Sequence, residues 1–282
     1  MRKNIELKLI FWAIVALFAA FLAAPLLLLF GKSVWDGGLT TEFYTSVVVK
    51  KGFLPALGNS FAVASAAAVI AVVIAFLLAY AVHYTALPLW AKRLISAIAT
   101  LPMFLPTITY GFAIIYSFGK QGLLTRLLGR QLFDIYGFWG LLVGYVIYTV
   151  PTAFLLIHNT MGYVDKKTLV VSKVMGDQTM STFWIAVVRP LLGTLAGAFI
   201  QAFFLSFTDF GIPASVGGGY DVIATLLYNQ MLGGIPDFNR GAVVAVIMLI
   251  PSVGSICLLQ ILERFNIRYN RISPAELRRN PA

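Results

Sequence analysis

Gly162-Tyr163-Val164-Asp165-Lys166-Lys167-Thr168-Leu169-Val170-Val171-Ser172-Lys173-Val174-Met175-Gly176-Asp177-Gln178-Thr179-Met180-Ser181-Thr182-Phe183-Trp184-Ile185-Ala186-Val187-Val188-Arg189-Pro190 is a polar interruption between two long apolar runs. It is too long for a hairpin turn. Val164–Met175 has the spacing of a short amphipathic helix. Val164, Leu169, Val171, Val174 and Met175 are its apolar members, and Asp165, Lys166, Lys167 and Lys173 its polar ones. Gly176 is placed to end that helix in a left-handed cap. A second helix is predicted over Thr179–Val188, with Thr179 or Ser181 as its N-cap. The stretch therefore reads as a helix–glycine–helix elbow.

The flanking sequence decides where this elbow sits. The 282 residues are 60% hydrophobic and 11% charged, with mean hydropathy +0.87. A soluble domain carries roughly 25% charged residues, so this chain cannot cover a water-facing surface and reads as a polytopic membrane protein. Crossing a ~30 Å hydrocarbon core takes about 20 apolar residues. Six runs qualify: Leu9–Phe30, Leu57–Tyr84, Leu94–Phe118, Phe138–Met161, Leu191–Ile212 and Gly241–Leu262. The first is too long for the apolar part of a signal peptide and is read as a retained span. Pro102 and Pro106 interrupt the third, Pro151 the fourth and Pro251 the sixth, where they kink or break a helix. Residues 1–56 are read as a first span with its loop, 57–262 as the core domain and 263–282 as a basic tail.

Lys and Arg near span ends orient the chain. With the N-terminus inside, the inner segments hold fourteen: Arg2, Lys3, Lys8, Lys92, Arg93, Lys166, Lys167, Lys173, Arg189, Arg264, Arg268, Arg271, Arg278 and Arg279. The outer segments hold seven: Lys32, Lys50, Lys51, Lys120, Arg126, Arg130 and Arg240. Both termini and the elbow are thus expected in the cytoplasm. The net charge of +10 follows from these loops and does not point to nucleic acid. Three long outer segments remain, 31–56, 119–137 and the glycine-rich 213–240. Each is read either as connection or as the place where an external partner or an outer gate is met.

Reactive chemistry is sparse. His83 and His158 lack metal-ligand neighbours at useful spacing and read as interfacial aromatic groups. The one cysteine, Cys257, excludes an intrachain disulfide. There is no G-x-x-x-x-G-K-[ST] loop, so any ATP must be hydrolysed by another chain. Asp209 is the one acid in an apolar run. It either caps the next segment or meets a cationic part of a passing solute. An ion-coupled carrier normally needs a relay of such groups, and a membrane enzyme needs a reactive constellation that is not here. Gly140-x-x-x-Gly144 and Gly193-x-x-x-Gly197 favour close helix packing.

The elbow resembles the signature loop of bacterial binding-protein-dependent ABC importer permeases, E-A-A-x-x-x-G with a later proline. Val170-Val171-Ser172 stand at the E-A-A positions and Gly176 at the glycine. Thr182-Phe183-Trp184 is similar to the family's Thr-Phe-aromatic, and Pro190 closes the loop one residue later than usual. Asn59-Ser60 resembles the opening of the family's core domain, and Leu101-Pro102 with Pro106 its L-P-x-x-x-P. The resemblance covers nearly the whole chain. It implies an all-α, type I permease fold with six spans in a bacterial inner membrane. It implies a partner set of two ATPase subunits, which carry ATP and magnesium, a second permease subunit and an external solute-binding protein. The chain itself is expected to hold no cofactor or metal and to catalyse no reaction. ATPase contact falls on Val164, Asp165, Leu169, Val170, Val171, Ser172, Lys173, Val174, Met175, Gly176, Asp177, Thr182, Phe183 and Pro190. Lys173, Asp177 or the basic tail stands in for the missing glutamate. Pathway or gate residues fall at Asn59, Ser60, Pro102, Pro106 and Asp209. Tyr116–Leu124 and Phe207–Pro213 with Gly217-Gly218 look closest to the polyamine, ferric-ion and 2-aminoethylphosphonate permeases, with the phosphonate branch favoured.

Overall fold

The computed structural model describes residues 2–165 and 167–269, with side chains from residue 6 onward except at 170, 173 and 263–269. The described residues form helices joined by short turns, with no strand among them. Helices α1 (Arg2–Phe18) and α2 (Ala24–Val34) form one rod through a π-helical turn at Ala19–Ala23. A second π-helical turn, Trp184–Val188, joins α10 (Thr179–Phe183) to α11 (Arg189–Thr208). Each π turn runs directly into a proline, Pro25 or Pro190. Proline lacks an N–H and its ring presses on the preceding turn; a widened turn relieves both without ending the helix. The expected separate second helix of the elbow is therefore the near end of a continuous span, Thr179–Thr208.

Among the described residues five helices are long and apolar enough to cross a membrane, or six if one bent pair counts as a span: Glu6–Val34, Phe53–Tyr84, Phe138–Gly162, Thr179–Thr208 and Phe238–Leu262. The expected third span is not one rod. Helix α5 (Leu89–Thr100) runs into a 3-10 turn, Leu101–Phe104, and α6 (Thr107–Phe118) then departs toward α7 (Leu123–Leu128). The two halves meet at 111°. Pro102 and Pro106 cause this: each removes a donor, Leu101 before Pro102 stays helical only as the start of the 3-10 turn, and Leu105 before Pro106 is driven extended with ψ 142°.

Helix α4 (Phe53–Tyr84) is the centre of the bundle. Its buried residues Ala56, Ser60, Ala64, Ala67, Ala71, Ala75 and Ala79 recur every three or four positions. That stripe of small side chains lets α8 (Phe138–Gly162) and α11 lie close against it. At 32 residues, α4 is about 48 Å long, so both of its ends reach beyond the hydrocarbon. The first span touches the rest mainly where α2 meets the last helix, α14 (Phe238–Tyr269), and its other faces expose leucine, phenylalanine and tryptophan. Lipid satisfies such a surface. Helix α14 continues past Leu262, the expected edge of the core domain.

Two apolar clusters mark the two ends of the bundle. One gathers Val63, Ile114, Leu141, Tyr145, Phe207, Ile212 and Ile223. The other gathers Ala79, Phe154, Ile157, Met161, Val187 and Leu191, with Val164, Leu169 and Phe183 of the elbow packed on it. The long outer segments, read either as connection or as a partner or gate surface, contain helices. Helix α3 (Glu42–Val49) lies in 31–56. In 213–240 the chain turns back as α12 (Gly211–Val216) and α13 (Ile223–Leu232), whose Ile212, Val216, Ile223 and Ala224 are buried in the first cluster. These helices are part of the core.

Candidate functional site

The elbow is built almost wholly from local bonds. Asp165 opens α9 (Lys167–Val174): its Oδ1 accepts the Lys167 N–H at 2.9 Å and its carbonyl the Thr168 N–H at 3.4 Å. The helix starts three residues later than Val164, which instead packs inward. At the other end Gly176 adopts φ +77°. Asp177 N–H then bonds the Ser172 carbonyl at 3.1 Å and Met175 N–H the Val171 carbonyl at 2.9 Å. The first is the six-residue closure of a left-handed helix cap.

A side-chain network locks the turn. Ser172 Oγ donates to Asp177 Oδ2 at 2.5 Å, and Ser172 Oγ lies 2.9 Å from Thr182 Oγ1. A carboxylate only accepts and serine has one proton. Thr182 is therefore the donor of the second bond. Ser172 and Thr182 are both buried, so α9, the turn and α10 are tied at one point. The sequence reading had Asp177 as a stand-in for the missing glutamate toward a partner. The structure turns its carboxylate back onto Ser172 instead.

The predicted contact residues divide between two faces. Val164, Leu169 and Phe183 pack on the lower cluster. Phe183 lies edge-on to Tyr80 at 5.7 Å and to Phe76 at 6.2 Å, both on α4. On the other face Val171 is 55% exposed, Val174 82%, Met175 76% and Met180 76%. Such apolar exposure beside Asp165 and Lys167, on a short rigid helix, suits a protein partner. Pro190 lies away from this face, in the first turn of α11. Lys166 and the basic tail beyond Tyr269 fall outside the described residues, as do the side chains of Val170 and Lys173.

Sequence reading missed a second fastening here. His83 Nε2 and His158 Nδ1 are 3.1 Å apart, with ring centroids at 4.5 Å, and Phe154 stacks on His158. The pair joins the ends of α4 and α8. The two residues are 75 positions apart, and no local pattern announces them.

The residues expected along a pathway lie at the opposite end of the bundle. Asn59 Nδ2 donates to the Asp221 carbonyl at 2.9 Å. Ser60 Oγ donates to the Ala56 carbonyl at 2.8 Å and accepts the Ile223 N–H at 2.8 Å. Both therefore clip α4 to the returning α13. Asp209 sits just past the end of α11, buried, and its Oδ2 accepts the Ile212 N–H at 2.9 Å. Its carboxylate also receives bonds from Thr107 and the Gly211 N–H. It thus caps α12 while holding the start of α6. Gly211 makes this crossing possible, since a Cβ there would lie 2.3 Å from Thr107 Oγ1 and 2.7 Å from Ile108 N. Pro102 enters the same junction by accepting a hydrogen bond from Tyr110 OH at its carbonyl. The break in span three and the break after span five are one joint.

Residues 71–269 match the family model described as binding-protein-dependent transport system inner membrane component. The chain belongs to that family. The match takes in the elbow, both chain breaks and the second part of α4, from residue 71 on. Among curated relatives, a putative ferric transport system permease protein of Haemophilus influenzae is 23% identical over 266 residues, which are 92% of this chain and 42% of the relative. A ferric transport system permease protein of Actinobacillus pleuropneumoniae is 23% identical over 247 residues, 86% of this chain and 36% of the relative. The chain thus spans less than half the length of these two relatives. A spermidine/putrescine transport system permease protein of Escherichia coli K12 is 22% identical over 261 residues, 89% of this chain and 92% of the relative. A chain from the crystal structure of a bacterial ABC transporter involved in importing the acidic polysaccharide alginate superposes with a TM-score of 0.76 at 12% identity, covering 95% of this chain and 96% of that one. A methionine ABC transporter chain superposes with a TM-score of 0.57 at 16% identity, covering 77% and 96%. These superpositions establish a shared fold, that of ABC importer permeases.

Proposed function

We propose that this chain is the membrane-spanning permease subunit of an ATP-driven importer, with the elbow on the cytoplasmic side as the seat of a separate ATPase. The observation that carries this reading is the elbow's two-sided build. Val171, Val174, Met175 and Met180 offer an exposed apolar face. Behind it, Ser172, Thr182 and Phe183 fix that face rigidly to α4 and α11. A joint that passes on work must not absorb it, and packed interfaces switch between discrete arrangements. Two ATPase copies, each with its own ATP and magnesium, a second permease subunit and an external binding protein complete the assembly. The positive-inside bias of the loops supports two cytoplasmic termini.

The solute reading is a small polar molecule, 2-aminoethylphosphonate. Tyr116–Leu124 and Phe207–Pro213 resemble the polyamine, ferric-ion and phosphonate permeases alike; the phosphonate reading rests on overall likeness, with polyamine and ferric iron, the solutes in the named relatives' descriptions, as the alternatives. Co-purification tests the coupling role. Wild-type chain expressed with its ATPase is expected to bring that subunit down in detergent. Val174→Glu paired with Met175→Glu is expected to lose it while inserting normally. Undiminished recovery of the ATPase with the double variant would overturn the assignment. Uptake of labelled 2-aminoethylphosphonate, measured beside spermidine and ferric iron, tests the solute.

A further inference from the structure

Two open clefts lie side by side at the end of the bundle far from the elbow, separated by Tyr136. The first has a volume of about 760 Å³; Lys120, Arg126, Gln121 and Tyr116 line it, with no carboxylate among the lining residues. The second has a volume of about 480 Å³; Asp221, Phe210, Tyr228 and Asn229 line it, with no cationic side chain among the lining residues. Tyr136 borders both.

The partition and the backbone at Asp221 are held in place. Asp134 Oδ1 accepts the Tyr136 N–H at 3.0 Å, and Gly137 N–H bonds the Val216 carbonyl at 2.9 Å. Asp221 is held by Asn59 Nδ2 through its carbonyl. Phe210 and Tyr228 stack with centroids 4.4 Å apart. A guanidinium and an ammonium in a cleft whose lining holds no carboxylate suit a phosphonate, phosphate or carboxylate. A carboxylate beside stacked aromatic faces suits an ammonium group.

We propose that these clefts form one two-part solute site for a small zwitterion. Its acidic group sits against Lys120 and Arg126, and its ammonium sits against Asp221, Phe210 and Tyr228. This rests on the importer reading above and sharpens its substrate class. A polyamine carries charge of one sign only and is repelled by the first cleft.

The test uses the complete transporter, with ATPase and binding protein, in proteoliposomes, and 2-aminoethylphosphonate as the labelled probe. Lys120→Gln and Arg126→Gln are each expected to raise the apparent KM roughly ten-fold, with a smaller change in kcat. Asp221→Asn is expected to raise KM for this probe but to leave competition by ethylphosphonate, which lacks the amine, unchanged. Affinity for the binding protein, titrated separately, is expected to hold in all three variants. Unchanged KM in the three variants overturns the site, as does an effect confined to binding-protein affinity. ATP-dependent uptake of spermidine or ferric iron in preference to the probe, insensitive to the three substitutions, overturns the site and leaves the importer reading standing. Absence of any ATP-dependent uptake by the wild type removes the importer reading itself.

Discussion

Gly176 offers a graded test of whether the elbow's shape, and not merely its presence, transmits work. Its φ is +77°, and a Cβ built on it meets no atom within 4 Å. A side chain at 176 is therefore resisted by backbone conformation alone. Alanine in a left-handed conformation costs about 1–2 kcal/mol, and asparagine less, because its side chain tolerates that region. An energy of that size shifts the population of the closed elbow about 5–30-fold. Proline is different in kind. Its ring holds φ near −65°, about 140° from the observed value, and it also drives Met175 out of the helical region. The Asp177–Ser172 closure then has no geometry in which to form. The expected order of ATP-dependent uptake, at matched membrane levels, is glycine, asparagine, alanine, then proline with none. The flanking spans α8 and α11 are packed by their own clusters, so insertion and detergent stability are expected to hold across the series. Wild-type uptake by Gly176→Pro would refute the role of the elbow. Alanine and asparagine variants as damaged as proline would refute the conformational argument, because the penalty would then lie with the side chain and not with φ.

Three further substitutions probe the joints that hold the elbow and the far end. Ser172→Ala removes bonds to both Asp177 and Thr182, a loss of about 2 kcal/mol; amide exchange across α9 is expected to quicken roughly 30-fold, and unchanged exchange would dismiss the network. Ser60→Ala leaves the buried Ile223 N–H without its acceptor at a cost of about 1–3 kcal/mol, read as a lowered unfolding temperature in detergent and faster proteolysis between α12 and α13. Gly211→Ala forces a methyl to within 2.3 Å of Thr107 Oγ1 and 2.7 Å of a backbone nitrogen. Overpacking of this kind costs about 1–3 kcal/mol, so a thermal shift near zero would mean that α6 and α12 do not cross as described.

The elbow was the most legible part of the chain because its bonds are local. Gly176 and the apolar spacing before it act over a dozen residues, so the sequence alone places the helix to within three residues and its cap, while the split of Val164, Leu169 and Phe183 inward from Val171, Val174 and Met175 outward depends on the spans behind. The outer five spans were legible for a related reason: apolar length reports membrane depth directly. Composition does not report direction. Leu94–Phe118 has the hydropathy of a straight span; Pro102 and Pro106 signal a kink or break in it, and the structure supplies the size of the turn, 111°. The glycine-rich 213–240 left connection and a partner or gate surface both open, because what stabilises α13 is distant. Ser60 accepts the Ile223 N–H across 163 residues, and Asn59 bonds Asp221 across 162.

Helix α4 carries Asn59 and Ser60 at one end and Phe76, Tyr80 and His83 toward the other, on one unbroken 32-residue rod. Toward the elbow its partners are aromatic faces and a histidine pair, contacts that bear load through packing. At the far end it packs into the larger apolar cluster, with Phe61 against Phe203 and Phe207, and adds two hydrogen bonds to the turning backbone before α13, each worth about 1 kcal/mol net. A displacement applied at the elbow therefore reaches the far end through a stiff element that is packed at both of its ends.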